Sequence, residues 1–546
     1  METKIGSVRK ILFKEYDQNQ FVRVPIQIEE FIAPGHLVRI IDGVVEQIRM
    51  EELEVFYEGG GRSPYHPKLM IKVWIYGYCT GVYTTRPLAR AIREQLPFMW
   101  LAGGQQPNFK TLSEFRGNRM QGMIDLIFKK VLAMLIEEGY VDLADLYVDG
   151  SKWEANANRH KVVWSKKNTA RYKAAVLERI EGLLERVAQL QAEEDLRYGH
   201  RDLEEVGEGK EVAVVLNSDR LGAYLVSLNA LIAEASADKV RQKELKKVRT
   251  ALVGEQEKLD KYEQQEQILD GRNSFSKTDV DATAMRMKDE RLLPAYNVQH
   301  STNNQFVVNY TVEQNASDSV TLGAHLDKME ERSKGLPVPE QQNLCSDAGY
   351  GSEENYADLQ ERNIKAYVKY ALFYQEHSGE LAKRKFRREN FPYDEHKDEF
   401  TCPNNRRLKY IGDRADKSTT GYKKTWRLYE CESCAECPFA PECKKNEEKN
   451  RTVRFSPQYE AYKAQAKKLL ESDKGLEMRS NRSIEVESGF GDIKYNMHHR
   501  RFILRERKKV YIEFGLLAIG HNLRKVFCEK SGIWAAYYAQ RARKRA

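Results

Sequence analysis

Two short apolar runs in this chain end in the same way, and they narrow the folds open to it. Leu146-Tyr147-Val148 closes on Asp149 and is followed by Gly150-Ser151, while Asn343-Leu344-Cys345-Ser346 closes on Asp347 and is followed by Ala348-Gly349-Tyr350-Gly351. Each reads as a strand with a carboxylate at its mouth and a chain free to turn away behind it. Ser352-Glu353-Glu354, after the second run, reads as the start of a helix. Neighbouring strand ends are where open α/β sheets place their ligands. A third acid, Glu487, lies where Val486, Phe490, Ile493 and Met497 recur at helical spacing, so a helix presents it.

Three carboxylates with no histidine within a few residues form a hard oxygen donor set, which suits Mg²⁺ or Mn²⁺ better than zinc. Such ions serve phosphoryl chemistry, and two of them about 3.5–4 Å apart can assist both the attacking and the leaving oxygen in displacement at phosphorus. Taken one at a time, Asp149 and Asp347 also read as strand-end turn formers and Glu487 as a solvated helix residue.

The chain has 546 residues, too many for one core, and the length prior gives about three or four domains. Hydrophobic residues make up 41% of it, enough for packed cores, and no run approaches the roughly 18 apolar residues of a membrane span. Met1-Glu2-Thr3-Lys4-Ile5 lacks the layout of a secretory signal, so a cytoplasmic protein is expected. The net charge of +8 is concentrated in clusters: Lys383-Arg384-Lys385, Arg387-Arg388, Lys444-Lys445, Arg500-Arg501 through Lys508-Lys509, and Arg541 to Arg545. With acids suited to metal, these clusters point to a polyanion held by phosphate contacts, although each alone also reads as a solvated helix face.

Residues 31–119 read as helical, with one helix opened by Pro67 and another by Thr85-Arg86-Pro87. A short helix over Pro107–Arg116 is expected to expose Lys110, Ser113 and Arg116, with Arg119 beyond, which suits either a helix-turn-helix reader of duplex DNA or a plain bundle. Between Lys166 and Ile268, Val176, Ile180, Leu183, Val187 and Leu190 follow alternating steps of four and three, as do Leu245, Val248, Leu252, Leu259 and Tyr262 with one position skipped. Two long helices folded back as an antiparallel coiled-coil hairpin are expected, joined through the charged Gly199–Gly209 segment. A hairpin over Pro294–Gln299 and Phe306–Val312 follows, then a helix, the Asp347 strand, a helix, and a strand over Ile364–Tyr370. That order, ending with the Glu487 helix, resembles a ribonuclease-H-like domain.

Five of the eight cysteines fall together: Cys402, then Cys431, Cys434, Cys437 and Cys443. The spacing resembles a small zinc ribbon, with unligated thiols and an iron–sulfur cluster as the other readings. Cys79, Cys345 and Cys528 sit in apolar surroundings and read as core residues.

The stretches Gly61–Pro67, Tyr147–Asn158, Ser276–Ala282, Asp347–Tyr356 and the segment from Glu487 to His521-Asn522-Leu523-Arg524-Lys525 together resemble the DDE-type bacterial insertion-sequence transposases, within them the group numbered eleven eighty-two. The resemblance implies an α/β, ribonuclease-H-like catalytic domain over 140–165, 270–375 and 476–530. Around it would lie a helical DNA-binding domain at 1–125, a coiled-coil insertion at 166–269 and a Cys-rich insertion at 376–460. It implies Asp149, Asp347 and Glu487 as catalytic ligands of Mg²⁺ or Mn²⁺, with Glu485 as the competing third acid. Glu487 is preferred because Lys494 follows seven residues on, two helical turns along the same face. Related transposases place a lysine there to hold DNA phosphate, and have a tyrosine and an arginine where this chain has Ser480 and Ser483; Arg479 and Arg482 are near these positions but displaced. Lys494, Lys110, Arg116, Arg500 and Arg501 are the expected DNA contacts. Double-stranded DNA, both element ends and target, is the implied partner, in a synaptic homodimer. A regulator derived from such an enzyme, or a nuclease without strand transfer, is the alternative.

Overall fold

The computed structural model describes residues 27–57, 63–198, 217–444, 446 and 448–532. The chain start, Gly61-Arg62, the Gly199–Gly209 segment, Lys445 and the basic tail Arg541–Arg545 lie outside the described residues. Strand β1 (Asp145–Glu154) is followed by a ribbon of β2 (Val162–Trp164) and β3 (Ser274–Ser276), then by β4 (Thr283–Arg286), β5 (Leu292–Asn303), β6 (Phe306–Glu313), β7 (Gln342–Ser346) and β8 (Ile364–Val368). β5 runs antiparallel to β1 along one edge and to β4 and β6 along the other; β7 is parallel to β1, and β8 to β7.

Alternation along β1 shows why this sheet is central. Tyr147 packs with Cys345, Met478 and Val486 on one face, and Val148 packs with Leu322, Leu344 and Tyr350 on the other. The first face is covered by the acid helix (Asp473–Gly491) and the C-terminal helix (Arg507–Lys530), the second by helices Leu322–Ser333 and Glu353–Glu361. The C-terminal helix is buried at every position from Ile512 to Leu523, and so is every residue of the Pro67–Cys79 helix packed on it. A helix buried around its whole girth needs a neighbour on every side, and the N-terminal helices and the sheet supply them within one core. At Gly515 a Cβ would collide with the Tyr310 hydroxyl and Ile124, so only glycine allows this approach.

Arg332 ties these layers together. It is buried, and it donates to Asn309 Oδ1 (2.6 Å), the Tyr310 carbonyl (2.9 Å) and Asp125 Oδ1 (2.8 Å), with a further contact to Tyr511. Tyr511 in turn donates to Asp125 Oδ1 at 2.6 Å. Desolvation works to raise the Asp125 carboxyl, but Arg332, Lys328 and Tyr511 outweigh it and hold the group below the usual range.

The insertion differs from the expected two-helix hairpin. Helices Arg171–Tyr198 and Lys239–Leu269 do pack on each other, but a third, Ser218–Glu234, joins them, capped by Asn217 and contributing Leu221, Leu225, Leu228 and Ile232 to the shared core. The second sheet comprises β9 (Tyr393–Asp394), β10 (Glu399–Thr401), β11 (Arg407–Lys417), β12 (Lys423–Cys431) and β13 (Thr452–Phe455), all antiparallel, in the order β13-β12-β11-β10-β9. It docks beside the Asp347 loop, where Glu353 accepts from Lys424 (2.7 Å) and Ser456 (2.8 Å). No described helix is long and apolar enough to cross a membrane.

Replacing Arg332 with alanine leaves Asp125 without its buried partner and should cost about 3–5 kcal/mol in urea unfolding at neutral pH. A carboxyl depressed in the folded state contributes its stability above its unfolded pKa of about 4 and loses it as pH falls through the folded value. The gap between variant and wild type should therefore narrow below about pH 4; a gap under about 1 kcal/mol at pH 7 would show that the clamp is dispensable.

Candidate active site

Parallel pairing of β1 with β7 puts Tyr147 opposite Cys345, and two residues further each chain carries an aspartate, Asp149 and Asp347. Asp149 stays within β1, on the face covered by the acid helix. Asp347 caps the short turn Ala348–Tyr350, accepting from the Gly349 N–H at 2.8 Å. The acid helix lies across both and sends Arg482 between them. Its Nη2 stands 3.0 Å from Asp149 Oδ1 and 3.6 Å from Asp347 Oδ2. Burial pushes the Asp149 carboxyl up to about 6; Arg482 pulls it down, and the charges of Asp347 and Asp318 push it further up.

Under β1, on the opposite face, lies a polar network. Asp318 Oδ1 accepts from Asn297 Nδ2 (2.7 Å) and Gln299 Nε2 (2.9 Å), and Gln299 Oε1 accepts from the Tyr350 hydroxyl. Asn297, Gln299 and Tyr350 are all buried. The chain passes over this network at Gly150, where a Cβ would overlap both the Asp318 carboxylate and the Gln299 amide. Asp318 was not read from the sequence. Its signal is the run of alternate polar residues Asn297, Gln299, Ser301 and Asn303 on a strand buried on both faces, because such groups need partners.

The third acid is placed differently. Glu487 is exposed on the acid helix, five residues beyond Arg482. Glu485 is buried and accepts from the Gln305 N–H at 2.6 Å, which fastens the helix to the β5–β6 turn; burial raises its carboxyl. Gly489 faces His300, the cross-strand partner of Asp149, whose ring stacks on Phe490 at 3.5 Å between centroids. Burial holds that imidazole well below its ordinary pKa, hence neutral.

Lys494 lies in a π-helical turn, Asp492–Asn496, that follows the acid helix, so its two-turn α-helical alignment with Glu487 does not hold as expected. Its ammonium donates to Ser151 Oγ (2.6 Å) and the Lys152 carbonyl (3.3 Å), lies 4.1 Å from the Trp153 ring centre, and is pushed down to about 8 by burial. Lys110 and Arg500 are exposed, Arg500 stacking on Tyr495. Arg501 pairs with Glu154 at 3.4 Å and donates to the Ala155 and Ala157 carbonyls. Arg116 corrects its expected exposure. Only 3% exposed, it donates to the Tyr78 hydroxyl (3.0 Å) and the Tyr83 carbonyl (2.7 Å) beneath the Trp74 ring, because it lies one turn after buried Leu112 on the helix's inner side. It is a core residue and is not available to DNA.

The five clustered cysteines are free thiols at one end of the second sheet. Cys434 Sγ accepts from the Arg451 N–H at 3.2 Å, and burial pushes Cys431 up to about 12. Among the described residues no three of His, Cys, Asp or Glu are arranged to hold a metal ion, so geometry supports neither the expected zinc site nor a gathering of Glu487 with Asp149 and Asp347. At the acids, the donor set fits a hard divalent cation through two carboxylates, Asp149 and Asp347, whose oxygens already converge on one positive group.

Among known proteins, a family described as Transposase DDE domain matches residues 401–527, which include Arg482, Glu487, Lys494 and the clustered cysteines. A family described as Transposase domain (DUF772) matches residues 26–118, with Lys110 and Arg116. Asp149 and Asp347 lie outside both stretches. No curated protein and no solved structure matches. These two matches support a DDE-type insertion-sequence transposase.

Proposed function

We propose that this transposase hydrolyses phosphodiester bonds at the ends of its element and then joins the freed 3′-hydroxyl to target DNA, both by displacement at phosphorus with no covalent protein intermediate. The observation that carries the reading is the convergence of Asp149 and Asp347, from adjacent parallel strands, on a single guanidinium nitrogen. The strand order β6-β5-β1-β7-β8, with three antiparallel strands followed by two parallel ones, supports a ribonuclease-H-like sheet. Asp149 and Asp347, with Glu487 from the acid helix, are the residues that would hold Mg²⁺ or Mn²⁺. Ions bound there supply electrophilic stabilisation of charge developing on the phosphoryl oxygens.

The remaining roles belong to this chain's own groups. Lys494, held by Ser151 at the edge of the site, offers an ammonium to a DNA phosphate. Glu485 fixes the acid helix to the β5–β6 turn, and the stack of His300 on Phe490 sets the spacing of that helix from β5. The Asp318–Gln299–Tyr350 chain holds the Asp347 loop at a fixed distance from β1.

Alanine at Asp149, Asp347 or Glu487 should abolish cleavage of terminal-repeat DNA in Mg²⁺ while leaving binding to that DNA largely intact; cleavage by all three variants at wild-type rates would end the proposal. A strand-transfer assay with pre-cleaved ends separates a transposase from a nuclease that does not join. Gly150→Ala should displace the Asp318 carboxylate and loosen the Asp347 loop, lowering cleavage on the order of 100-fold with the circular dichroism spectrum retained. Wild-type cleavage by that variant would remove the network from the account of the site.

A further inference from the structure

Arg332 spends its donors on Asn309, Tyr310 and Asp125, and Arg362 is bonded to Asp358 (2.7 Å), Asp327 (2.6 Å) and Glu330 (2.6 Å) through all three of its nitrogens. Both are structural and well satisfied. Arg482 is not. One nitrogen, Nη2, serves both carboxylates, and its Nε, like those of Arg116, Arg451 and Arg479, is buried with no hydrogen-bond partner. With a single nitrogen facing both acids, this placement is held by their charges and not by a complete set of bonds.

Those charges have the same need. Asp149 and Asp347 share a partly buried pocket, their side chains 22% and 43% exposed, and two neighbouring carboxylates cannot both stay ionised cheaply without a cation between them. We propose that Arg482 is the built-in counter-cation of this acid pair, holding Asp149 and Asp347 together until a divalent cation arrives and giving way to it when it binds. The inference rests on the reading of these acids as metal ligands. A divalent ion sits about 2.0–2.6 Å from carboxylate oxygens. It cannot share Asp149 Oδ1 and Asp347 Oδ2 with a guanidinium nitrogen at 3.0 and 3.6 Å without strong like-charge repulsion, so occupancy by one expels the other. Arg482 therefore lowers the affinity of the DNA-free protein for metal while sparing it the cost of an uncompensated acid pair.

The test is Mn²⁺ binding to the full-length, DNA-free protein, followed by titration calorimetry and by the electron paramagnetic resonance of free Mn²⁺, with thermal melts in chelator and in Mn²⁺. Arg482→Ala and Arg482→Gln should bind Mn²⁺ about 10-fold or more tighter than wild type, because the competing cation is gone. In chelator both should melt below wild type, and Mn²⁺ should recover more of the loss than it adds to wild type. If either variant folds only in Mn²⁺, that too is the expected exchange of one cation for another. Affinity equal to or weaker than wild type, or failure of both variants to fold even in Mn²⁺, overturns the proposal. Asp149→Ala and Asp347→Ala separate the two readings. If they bind Mn²⁺ as wild type does, the metal site itself is misplaced and both readings fall; if they lose Mn²⁺ but the Arg482 variants gain nothing, only the counter-cation falls.

Discussion

The central sheet is covered by helices on both faces, and that constraint orders the rest of the molecule. Covering one face takes the acid helix and the C-terminal helix, and covering the C-terminal helix takes the N-terminal helices, so segments nearly 450 residues apart in sequence, such as Cys79 and Arg524 (2.9 Å, separation 445), are bonded to each other. Arg332 is the polar fastening in this stack. It joins Asp125 on an N-terminal helix, Asn309 and Tyr310 on β6 and Tyr511 on the C-terminal helix, a role that needs the planar, many-donor guanidinium and that a lysine's single ammonium cannot fill. The two insertions attach where this stack allows. The three-helix unit leaves through the β2–β3 ribbon, and the second sheet docks on Glu353 beside the Asp347 loop.

A sheet so covered makes carboxylates within it expensive. Asp149 is desolvated enough to be raised to about 6 even with an arginine beside it, whereas Asp125, with Arg332, Lys328 and Tyr511 around it, is held low. The same burial, then, has opposite outcomes. Asp125 is given all the partners it can use and serves the fold. Asp149 is left short of positive charge, and a site left short of positive charge is one that can take a cation.

The strand end at Asp347 could be read from the sequence because its pattern is local, an apolar run running into an aspartate and a glycine-containing turn; the same pattern at Asp149 misled, because β1 continues through Gly150, paired with Gln299, to Glu154. The heptad steps at Val176–Leu190 and Leu245–Tyr262 were equally local, yet Leu221, Leu225, Leu228 and Ile232 carry the same steps and belong to a third helix, set off by Asn217 before it and Asp238 after it. Arg116 misled because charge argues for the surface, and only the tertiary meeting of Trp74, Tyr78 and Tyr83 gives it a buried home. The alignment of Lys494 with Glu487 assumed 3.6 residues per turn, and a π turn at Asp492–Asn496 breaks that count. Arg482 stood one position from where a resemblance would have put an arginine. Its importance comes from what it reaches across the sheet, which no spacing along one helix can show.

Gly150 joins these scales. In sequence it is the residue that lets a strand turn after an aspartate. In the structure it remains inside β1, paired with Gln299, and its missing side chain is filled from the far face by the Asp318 carboxylate. Through Gln299 and Tyr350 that carboxylate holds the loop carrying Asp347, so the spacing of the two acids on one face is set by a polar network on the other. A larger residue at position 150 would leave Asp149 in its strand and its sheet intact while moving its partner acid. For two carboxylates that converge on the one guanidinium of Arg482, that spacing matters as much as the acids themselves.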